Sequence, residues 1–310
     1  MLARVAESLY WIGRNIERAE HFSRYIKVQY FSIMDESMVH NKDFTLRSIL
    51  FMSGAEDSQT SIMTENQVLQ KVIFDPNNPN SILSIIRSAR ENARSIRNSI
   101  STELWESINK LYLHLQQVDA PRFNTFRVYQ FSVDMKSDLC VVKSNIRNTL
   151  LHNDVWHFIC LGIYIERCLQ ILRIMRSKIS DWTILSNNGE NKALMIFQWT
   201  ILLKSLESFD LHNHLHTSMK TKKSVFSMIL KNRLFPRSIP FCVERIVEHL
   251  SLISVKKQPF KEFCDRFEDK TAELLEFEEF EDEEEVINHL DMAYDLFADT
   301  HFEIQRLYFQ

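Results

Sequence analysis

The pattern Gly-x-x-Ile-Glu-Arg occurs twice in this chain, first at Gly13 and again at Gly162. Arg24 and Arg173 extend the match at the same offset. The chain has only four glycines, and two of them occupy this one position, so we interpret the pattern as an internal repeat. A glycine inside a helix destabilises it by about 1 kcal/mol relative to alanine. Its presence in both copies therefore predicts that another helix crosses closely there.

Both copies fall in long helical patterns, and the rest of the chain also shows helical spacing of its apolar residues. Gly and Pro, at 4 and 6 residues, are too scarce to supply the turns of a sheet-rich fold. Ser81 and Ser101 stand where two helices should begin, as caps. We therefore predict an all-α fold, a large helical bundle of about ten to twelve helices. It is expected to be either one helical domain over residues 1–310 or two fused halves, with the repeated helices at 2–30 and 154–179.

The charge, the cysteines and the apolar runs of the chain indicate which partners and which cellular location to expect. A net charge of −4 lacks the excess of Lys and Arg that a nucleic-acid-binding surface needs. The five cysteines form no Cys-x-x-Cys pair and are odd in number, which is typical of reduced thiols in the cytosol. No apolar run approaches the roughly 20 residues of a membrane span, and the amino terminus lacks the pattern of a signal peptide. We therefore predict a cytoplasmic protein with neither nucleic acid nor a membrane as its partner.

Three carboxylates are candidates for chemistry, Glu17 and Glu20 in the first copy of the repeat and Glu166 in the second. If the two copies pack about a pseudo-twofold axis, Glu17 and Glu166 approach each other. Such a pair could hold a divalent metal or share a proton in acid–base catalysis. In the alternative, each glutamate pairs with an arginine of a neighbouring helix, in a buried ion pair that fixes helix register. Structural ion-pair networks commonly produce such clusters, so we expect neither a bound metal nor a cofactor.

Four arginines in residues 87–97 are spaced i, i+3, i+7 and i+10, which predicts one cationic ridge on a helix. The segment that follows adds Glu103, Trp105, Glu106 and Asn109. Guanidinium groups bind phosphate and carboxylate in a bidentate way, so the ridge suits an anionic ligand. In the alternative, the three candidate glutamates are its partners, and all these charges form one closed internal network. The four arginines are Arg87, Arg90, Arg94 and Arg97.

Other motifs give weaker signals. His212, His214 and His216 alternate, but only the outer two would share a helix face, and no carboxylate or cysteine stands at a matching spacing to complete a metal site. The acidic run from Glu276 to Glu285 is typical of a solvated linker or helix end. The chain has no P-loop, GxGxxG, HExxH or GxSxG motif, so we do not expect it to bind a nucleotide on its own.

Several blocks of the sequence share one further pattern. They are Ala3 to Glu20, Asn80 to Arg94, Glu103 to Asn109, Trp156 to Arg167, and Pro236 to Ser238. Through these blocks nearly the whole chain resembles the bacterial alpha-E family, predicted helical proteins named for an ER motif. The second copy of the repeat departs from the first at Cys168 and Leu169, which stand in the places of Ala19 and Glu20. The carboxylate stripe is therefore incomplete in the second copy, which favours the first helix for any chemistry.

The alpha-E family has no established activity, and the resemblance implies a modest role. Its members look like companions of a circularly permuted ATP-grasp ligase-like protein and of transglutaminase-like proteases, which suggests a system that makes or attaches a peptide and then trims it. Because this sequence lacks ATP-grasp hallmarks, we expect an accessory protein, without catalytic activity of its own, that binds the ligase or its peptide substrate. Two alternatives stay open: an enzyme that uses Glu17, Glu20 or Glu166, and a homo-oligomeric scaffold.

The candidate binding residues come from the family-like blocks and from the arginine ridge. In the enzyme alternative, the arginines hold an anionic substrate while the glutamates act as acid, base or metal ligand. The candidates are Arg4, Tyr10, Trp11, Arg14, Arg18, Arg90, Arg94, Arg97, Glu103, Glu106, Asn109 and Arg167.

Overall fold

The computed structural model describes residues 1–34, 41–54, 63–187, 192–215, 220–254, 258–276 and 283–309. Within these ranges the chain forms thirteen α-helices and no β-strand, which confirms the predicted all-α class. The prediction of ten to twelve helices is slightly low, because residues 209–226 lack a clear apolar stripe and yet contain two short helices.

The helices of the first half are α1 (Ala3–Met34), α2 (Asn41–Met52), α3 (Glu65–Leu69), α4 (Ile82–Ser95), α5 (Thr102–Gln116) and α6 (Thr125–Asn148). Those of the second half are α7 (Asp154–Asn187), α8 (Lys192–Ser205), α9 (Phe209–Leu215), α10 (Lys222–Phe226), α11 (Ile239–Leu252), α12 (Gln258–Leu275) and α13 (Glu283–Ile304). Five-residue π-helical segments continue α3, α10 and α13 at Gln70–Phe74, Ser227–Lys231 and Gln305–Phe309. Short 3-10 turns lie at Arg97–Ser99 and Ala120–Arg122. None of the helices in the described ranges has both the length and the apolar character needed to span a bilayer.

The chain divides into two compact units. The first unit consists of Ser8–Gly162, and the second consists of Met1–Glu7 with Ile163–Gln310. The helices follow one another in the same order in the two halves of the chain, apart from the additional α9 in the second half.

Serine caps begin α4 and α5 in the first unit, as the sequence predicts. The Ser81 hydroxyl oxygen accepts a hydrogen bond from the backbone N–H of Ser84 at 3.2 Å, and that of Ser101 accepts one from Leu104 at 3.2 Å. Each bond satisfies an N–H group that has no partner within its own helix. Behind its cap, α4 buries an apolar stripe and packs against α5, which in turn packs against α6. The stripe consists of Ile82, Ile85, Ile86, Ala89 and Ala93.

A second repeated element is present in the two units, and the sequence pattern alone does not reveal it. In each unit a threonine caps a short helix, a π-helical segment follows, and a loop leads to a serine-capped helix of 14 residues. The threonines are Thr64 and Thr221, and the serines are Ser81 and Ser238. Each serine hydroxyl also donates to the carbonyl of the residue six positions earlier. The same capping chemistry therefore builds the same turn twice.

Gly162 confirms the predicted close helix crossing at the second copy of the repeat. A Cβ atom built on Gly162 would lie 2.1 Å from the carbonyl oxygen of Tyr10 and 3.1 Å from the backbone nitrogen of Arg14. Both atoms belong to the backbone of α1, which cannot move aside as the end of a flexible side chain can. A larger residue at position 162 would therefore force α1 and α7 apart where they touch.

Candidate functional site

Five titratable side chains meet in the first unit, and we call them the Glu17 cluster. The cluster consists of Glu17, Glu20, His21 and Arg24 from α1 and Lys143 from α6. The Lys143 ammonium donates to one carboxylate oxygen of Glu17 and to one of Glu20. Arg24 Nη1 lies 3.1 Å from Glu20 Oε1, and His21 Nε2 lies 3.2 Å from Glu17 Oε1. One lysine thus bridges the two carboxylates.

The Glu17 cluster is largely shielded from water. The side chains of Glu17 and His21 are fully buried. Those of Glu20 and Arg24 are 12 % and 10 % exposed, and that of Lys143 is 25 % exposed. An unpaired charge at this depth is costly, whereas a hydrogen-bonded ion pair is tolerated. The ion pairs and hydrogen bonds of the cluster therefore support a structural role for Glu17 and Glu20.

The partner of these two glutamates differs from the one that the sequence predicts. Lys143, and not an arginine of residues 87–97, binds Glu17 and Glu20, so the proposed closed network of ridge arginines with these two glutamates is wrong. Lys143 lies 126 positions from Glu17, on a helix whose charges show no regular pattern, so no local signal points to it. Glu166 is buried in the second unit and accepts a hydrogen bond from Gln170 at 2.7 Å. Its predicted approach to Glu17 stays a prediction.

Of the two histidines of α9, His212 has structural surroundings and His214 is exposed. His212 is buried, and its Nε2 lies 2.9 Å from the hydroxyl oxygen of Ser224. His216 lies outside the described residues, as do positions 277–282 of the acidic run. In the part of the chain that the structure describes, no group of three or more His, Cys, Asp or Glu side chains is placed to hold a metal ion.

A second group of predicted residues lies at the surface of the first unit, and we call it the Arg90 face. The Arg90 guanidinium carbon lies 4.9 Å from the ring centroid of Tyr112 and 5.9 Å from that of Trp105. Arg90 Nε donates to Asn109 Oδ1 at 2.7 Å, and its Nη1 donates to Glu91 Oε1 at 2.7 Å. Cation–π contacts and charge-assisted hydrogen bonds therefore hold this guanidinium in one orientation. The Arg90 face consists of Arg87, Arg90, Arg94, Arg97, Trp105, Asn109 and Tyr112.

The other three arginines of the Arg90 face are exposed. The Arg94 side chain is 64 % exposed and its Nε lies 3.3 Å from a carboxylate oxygen of Glu91. Arg87 donates to the carbonyl of Pro76 at 3.3 Å. Since each guanidinium carries five N–H donors, most donors of these side chains are available to a ligand.

The row of arginines is not one continuous helical ridge. Helix α4 ends at Ser95, so Arg97 lies in the following 3-10 turn rather than on the helix itself. Arg97 nevertheless contacts the same indole as Arg90, with its guanidinium carbon 5.5 Å from the Trp105 ring centroid. Sequence reasoning overlooks Tyr112, although its spacing of i+7 from Trp105 places both rings on one face of α5.

The predicted residues of α1 make contacts within the first unit. Arg14 is only 5 % exposed, and its guanidinium carbon lies 5.1 Å from the Trp11 ring centroid and 5.8 Å from that of Tyr10. Arg18 donates to the side-chain oxygen of Asn80 at 3.2 Å, just before the capping serine of α4. Arg14 is therefore an internal residue, and Arg18 anchors the loop that leads into α4.

The remaining candidates are divided between the units. Glu103 and Glu106 are exposed near the start of α5 in the first unit. In the second unit, Arg4 is exposed, and Arg167 donates to the carbonyl of Pro236 at 3.1 Å. The predicted set is thus not a single constellation: the residues of α4 and α5 form a surface, whereas Arg167 caps a loop.

Cys168 is a packing residue of the second unit. It is fully buried, and burial, a hydrogen bond with Cys242 and the proximity of that thiol raise the pKa of the Cys168 thiol well above its usual range. A neutral, buried thiol is not an activated nucleophile. The second copy of the repeat therefore gains no reactive group where its sequence departs from the first.

The fold and these two groups define an all-α protein with a buried ion-pair cluster and an exposed arginine–aromatic face. The family model named Alpha-E, described as a predicted alpha-helical domain with a conserved ER motif, matches residues 1–309. The chain therefore belongs to the Alpha-E family, which confirms the resemblance. Comparisons with curated proteins and with solved structures gave no significant match.

Proposed function

We propose that this Alpha-E protein is an accessory component of a system that makes or modifies peptides with an ATP-grasp-type ligase. In that role it binds the ligase or its peptide substrate through the Arg90 face. The observation that carries the proposal is the fixed guanidinium of Arg90, which Trp105 and Tyr112 hold beside three exposed arginines.

The chemistry of the Arg90 face suits a partner rich in carboxylates. Arginine forks bind carboxylates in a bidentate way, and Trp, Tyr and Arg are the residue types that contribute most to protein interfaces. Glu91 is the carboxylate that pairs with Arg90 and Arg94, and a single glutamate neutralises only part of the charge of four arginines. Glu103 and Glu106 are also exposed on α5, so three carboxylates stand against four arginines and the excess positive charge is small. That charge lies on the arginines of the Arg90 face, where an acidic segment of a ligase or peptide would complement it.

Calorimetric titration of this chain with the circularly permuted ATP-grasp protein of the same organism tests the proposal. The titration is run with and without the peptide substrate of the ligase. Replacing both Arg94→Ala and Arg97→Ala should weaken association about tenfold, a loss of about 1.4 kcal/mol, because arginine is one of the residue types enriched among interface hot spots. Arg122, whose side chain is 83 % exposed, supplies the matched control Arg122→Ala, which should leave the affinity unchanged.

The same proteins give the contrary outcome. A ligase that reaches its full rate without this chain, and that never elutes with it in size-exclusion chromatography, contradicts the accessory role. A preserved interaction in the double arginine variant instead contradicts the Arg90 face as the contact surface.

The enzyme alternative stays a prediction, and the burial of Glu17 weighs against it. A carboxylate that acts as acid, base or metal ligand must reach its substrate, whereas Glu17 is fully buried and bound to Lys143. The enzyme alternative requires Glu17→Gln to abolish a reaction of the pure chain while the Tm stays within a few degrees. The homo-oligomeric scaffold requires light scattering to give a single species larger than the monomer.

A further inference from the structure

A cavity of about 630 Å³ lies in the first unit between the end of α5 and the first half of α6. Its size falls within the range of small-ligand sites, which is roughly 300–1,000 Å³. Four of its apolar lining side chains are almost completely buried, so its floor belongs to the packed core of the first unit. The apolar floor residues are Leu115, Phe123, Phe131 and Met135.

The walls of this cavity are held by contacts outside it. The ring of Phe123 packs edge-to-face against Phe74 at 5.1 Å and against Phe131 at 5.4 Å between centroids. The side-chain amide of Gln70, in the π-helical segment after α3, donates to the carbonyl of Ala120. The connection from α5 to α6 is therefore tied to another element, and the cavity is preformed.

Charges of opposite sign line the cavity at different positions along α6. Asp134 and Asp138 lie one turn apart. Among the described residues, the Asp134 carboxylate has a hydrogen bond from Gln130 at 2.8 Å, and the Asp138 carboxylate lies 2.8 Å from His114 Nδ1. A carboxylate can accept about four hydrogen bonds, so both have capacity to spare. Arg127 lies about two turns earlier and makes no ion pair with any residue that the structure describes.

The separation of these charges sets the length of a complementary ligand. Arg127 and Asp134 are seven positions apart on α6, so their Cα atoms lie about 10 Å apart along the helix axis at 1.5 Å per residue. An extended chain of three amino acids covers about the same distance between its terminal ammonium and its terminal carboxylate. A single amino acid, whose ammonium and carboxylate are separated by one Cα atom, covers much less of this distance.

We propose that this cavity binds a short peptide of about three residues with free termini, whose apolar side chain lies on the Phe123 and Phe131 floor. The peptide ammonium binds at Asp134 and Asp138, and the peptide carboxylate binds at Arg127. This site is separate from the Arg90 face and does not depend on the proposed accessory role.

The tripeptide Ala-Phe-Ala is the probe for a binding test by NMR. Met135 lines the cavity, so its 13C-labelled methyl group reports on occupancy, and Met135→Leu identifies its signal. Acetylation of the amino terminus and amidation of the carboxyl terminus should each weaken binding about tenfold, because each removes a charge-assisted hydrogen bond. Free phenylalanine should bind more weakly than the tripeptide.

Variants of the chain assign each end of the peptide. Asp134→Asn should weaken binding of Ala-Phe-Ala about tenfold, but it should hardly change the affinity for the acetylated peptide, which has no ammonium to lose. Arg127→Gln should also weaken binding of Ala-Phe-Ala about tenfold, but it should hardly change the affinity for the amidated peptide, which has no carboxylate. Asp269→Asn on α12, an exposed aspartate of the second unit, is the control and should change nothing.

Three outcomes overturn the inference. In the first, the Met135 methyl signal does not move at millimolar tripeptide. In the second, the acetylated and the amidated peptides both bind as tightly as the free tripeptide. In the third, acetylation weakens binding and amidation does not. The last outcome identifies a site for an apolar amine rather than for a peptide. None of these outcomes bears on the ligase titration, so the two proposals fail separately.

Discussion

The ammonium group of Lys143 on α6 donates to the carboxylate of Glu17 on α1, a side chain that water does not reach. The two residues lie 126 positions apart and join two helices of the first unit. The repeated Glu-Arg pattern of α1 thus obtains its counter-charge from a helix that carries no copy of the pattern.

Lys143→Met should destabilise the protein by about 3–5 kcal/mol, because it leaves the buried carboxylate of Glu17 without its ammonium partner. Urea unfolding at neutral pH measures this change. Lys110→Met on the exposed side of α5 is the matched control and should alter stability by no more than about 0.5 kcal/mol.

Combining Lys143→Met with Glu17→Gln should restore part of the lost stability, since the double variant no longer buries an unpaired charge. A loss below about 1 kcal/mol for Lys143→Met alone would show that other groups carry the neutralisation of Glu17.

Gly162→Ala should lower stability although alanine is the better helix former. The helix propensity gain is about 1 kcal/mol, whereas the added Cβ would lie 2.1 Å from the Tyr10 carbonyl oxygen and force a backbone shift. Overpacking of this kind costs about 1–3 kcal/mol or more, so we expect a net loss that thermal unfolding detects as a lower Tm. Ser88→Ala on the exposed side of α4 should keep or raise the Tm, and equal behaviour of the two variants would refute the crossing.

Ser81→Ala and Ser238→Ala should each reduce stability by about 1–2 kcal/mol. Each removes an N-cap acceptor and also the hydroxyl that donates to the preceding loop. Ser81→Asp separates the two effects, because aspartate accepts from the backbone N–H of Ser84 but cannot donate to the loop carbonyl. Denaturant midpoints of the three variants measure the difference, and an unchanged midpoint in Ser81→Ala would argue against the shared turn.

Cys140, Cys264 and Cys168 should react with iodoacetamide in that order. Burial and the neighbouring Asp265 raise the pKa of Cys264 from 9.0 to about 11, so its thiolate fraction at pH 8 is about a hundredfold below that of an ordinary thiol. We expect exposed Cys140 to react first, Cys264 much later, and buried Cys168 only after unfolding.

Mass spectrometry of the labelled peptides over time measures these rates. Raising the pH from 8 to 10 should accelerate Cys264 steeply, because its thiolate is still scarce there. Cys264 loses its proton more easily in the unfolded chain than in the folded one. Its contribution to the free energy of unfolding is therefore fully present below pH 9 and is lost as the pH rises toward 11. Equal rates for Cys140, Cys264 and Cys168 in the native protein would contradict the burial of Cys168 and the partial burial of Cys264.

The sequence correctly predicts features that depend on neighbouring residues or on a repeated residue type. The crossing at Gly162 follows from one costly residue type in two matching positions, and the cap at Ser81 follows from a hydroxyl that precedes an apolar stripe. Lys143 and Tyr112 could not be found in this way, because their roles depend on which helices pack together. The position of Arg97 beyond the end of α4 likewise depends on where the helix stops, which spacing alone does not determine.

The duplicated turn has a consequence for how the two halves can diverge. The capping hydroxyl groups and the loop carbonyls maintain the turn. The outward side chains of the helix that follows do not contribute to it, so their residue types can differ between the two copies. At the positions where α4 carries Arg87, Arg90 and Arg94, α11 carries Glu244, Val247 and Ser251. The two matching turns are thus followed by one surface with three arginines and one without an arginine at these positions. Among relatives, the corresponding surface should be sought by its distance from the capping serine rather than by residue type.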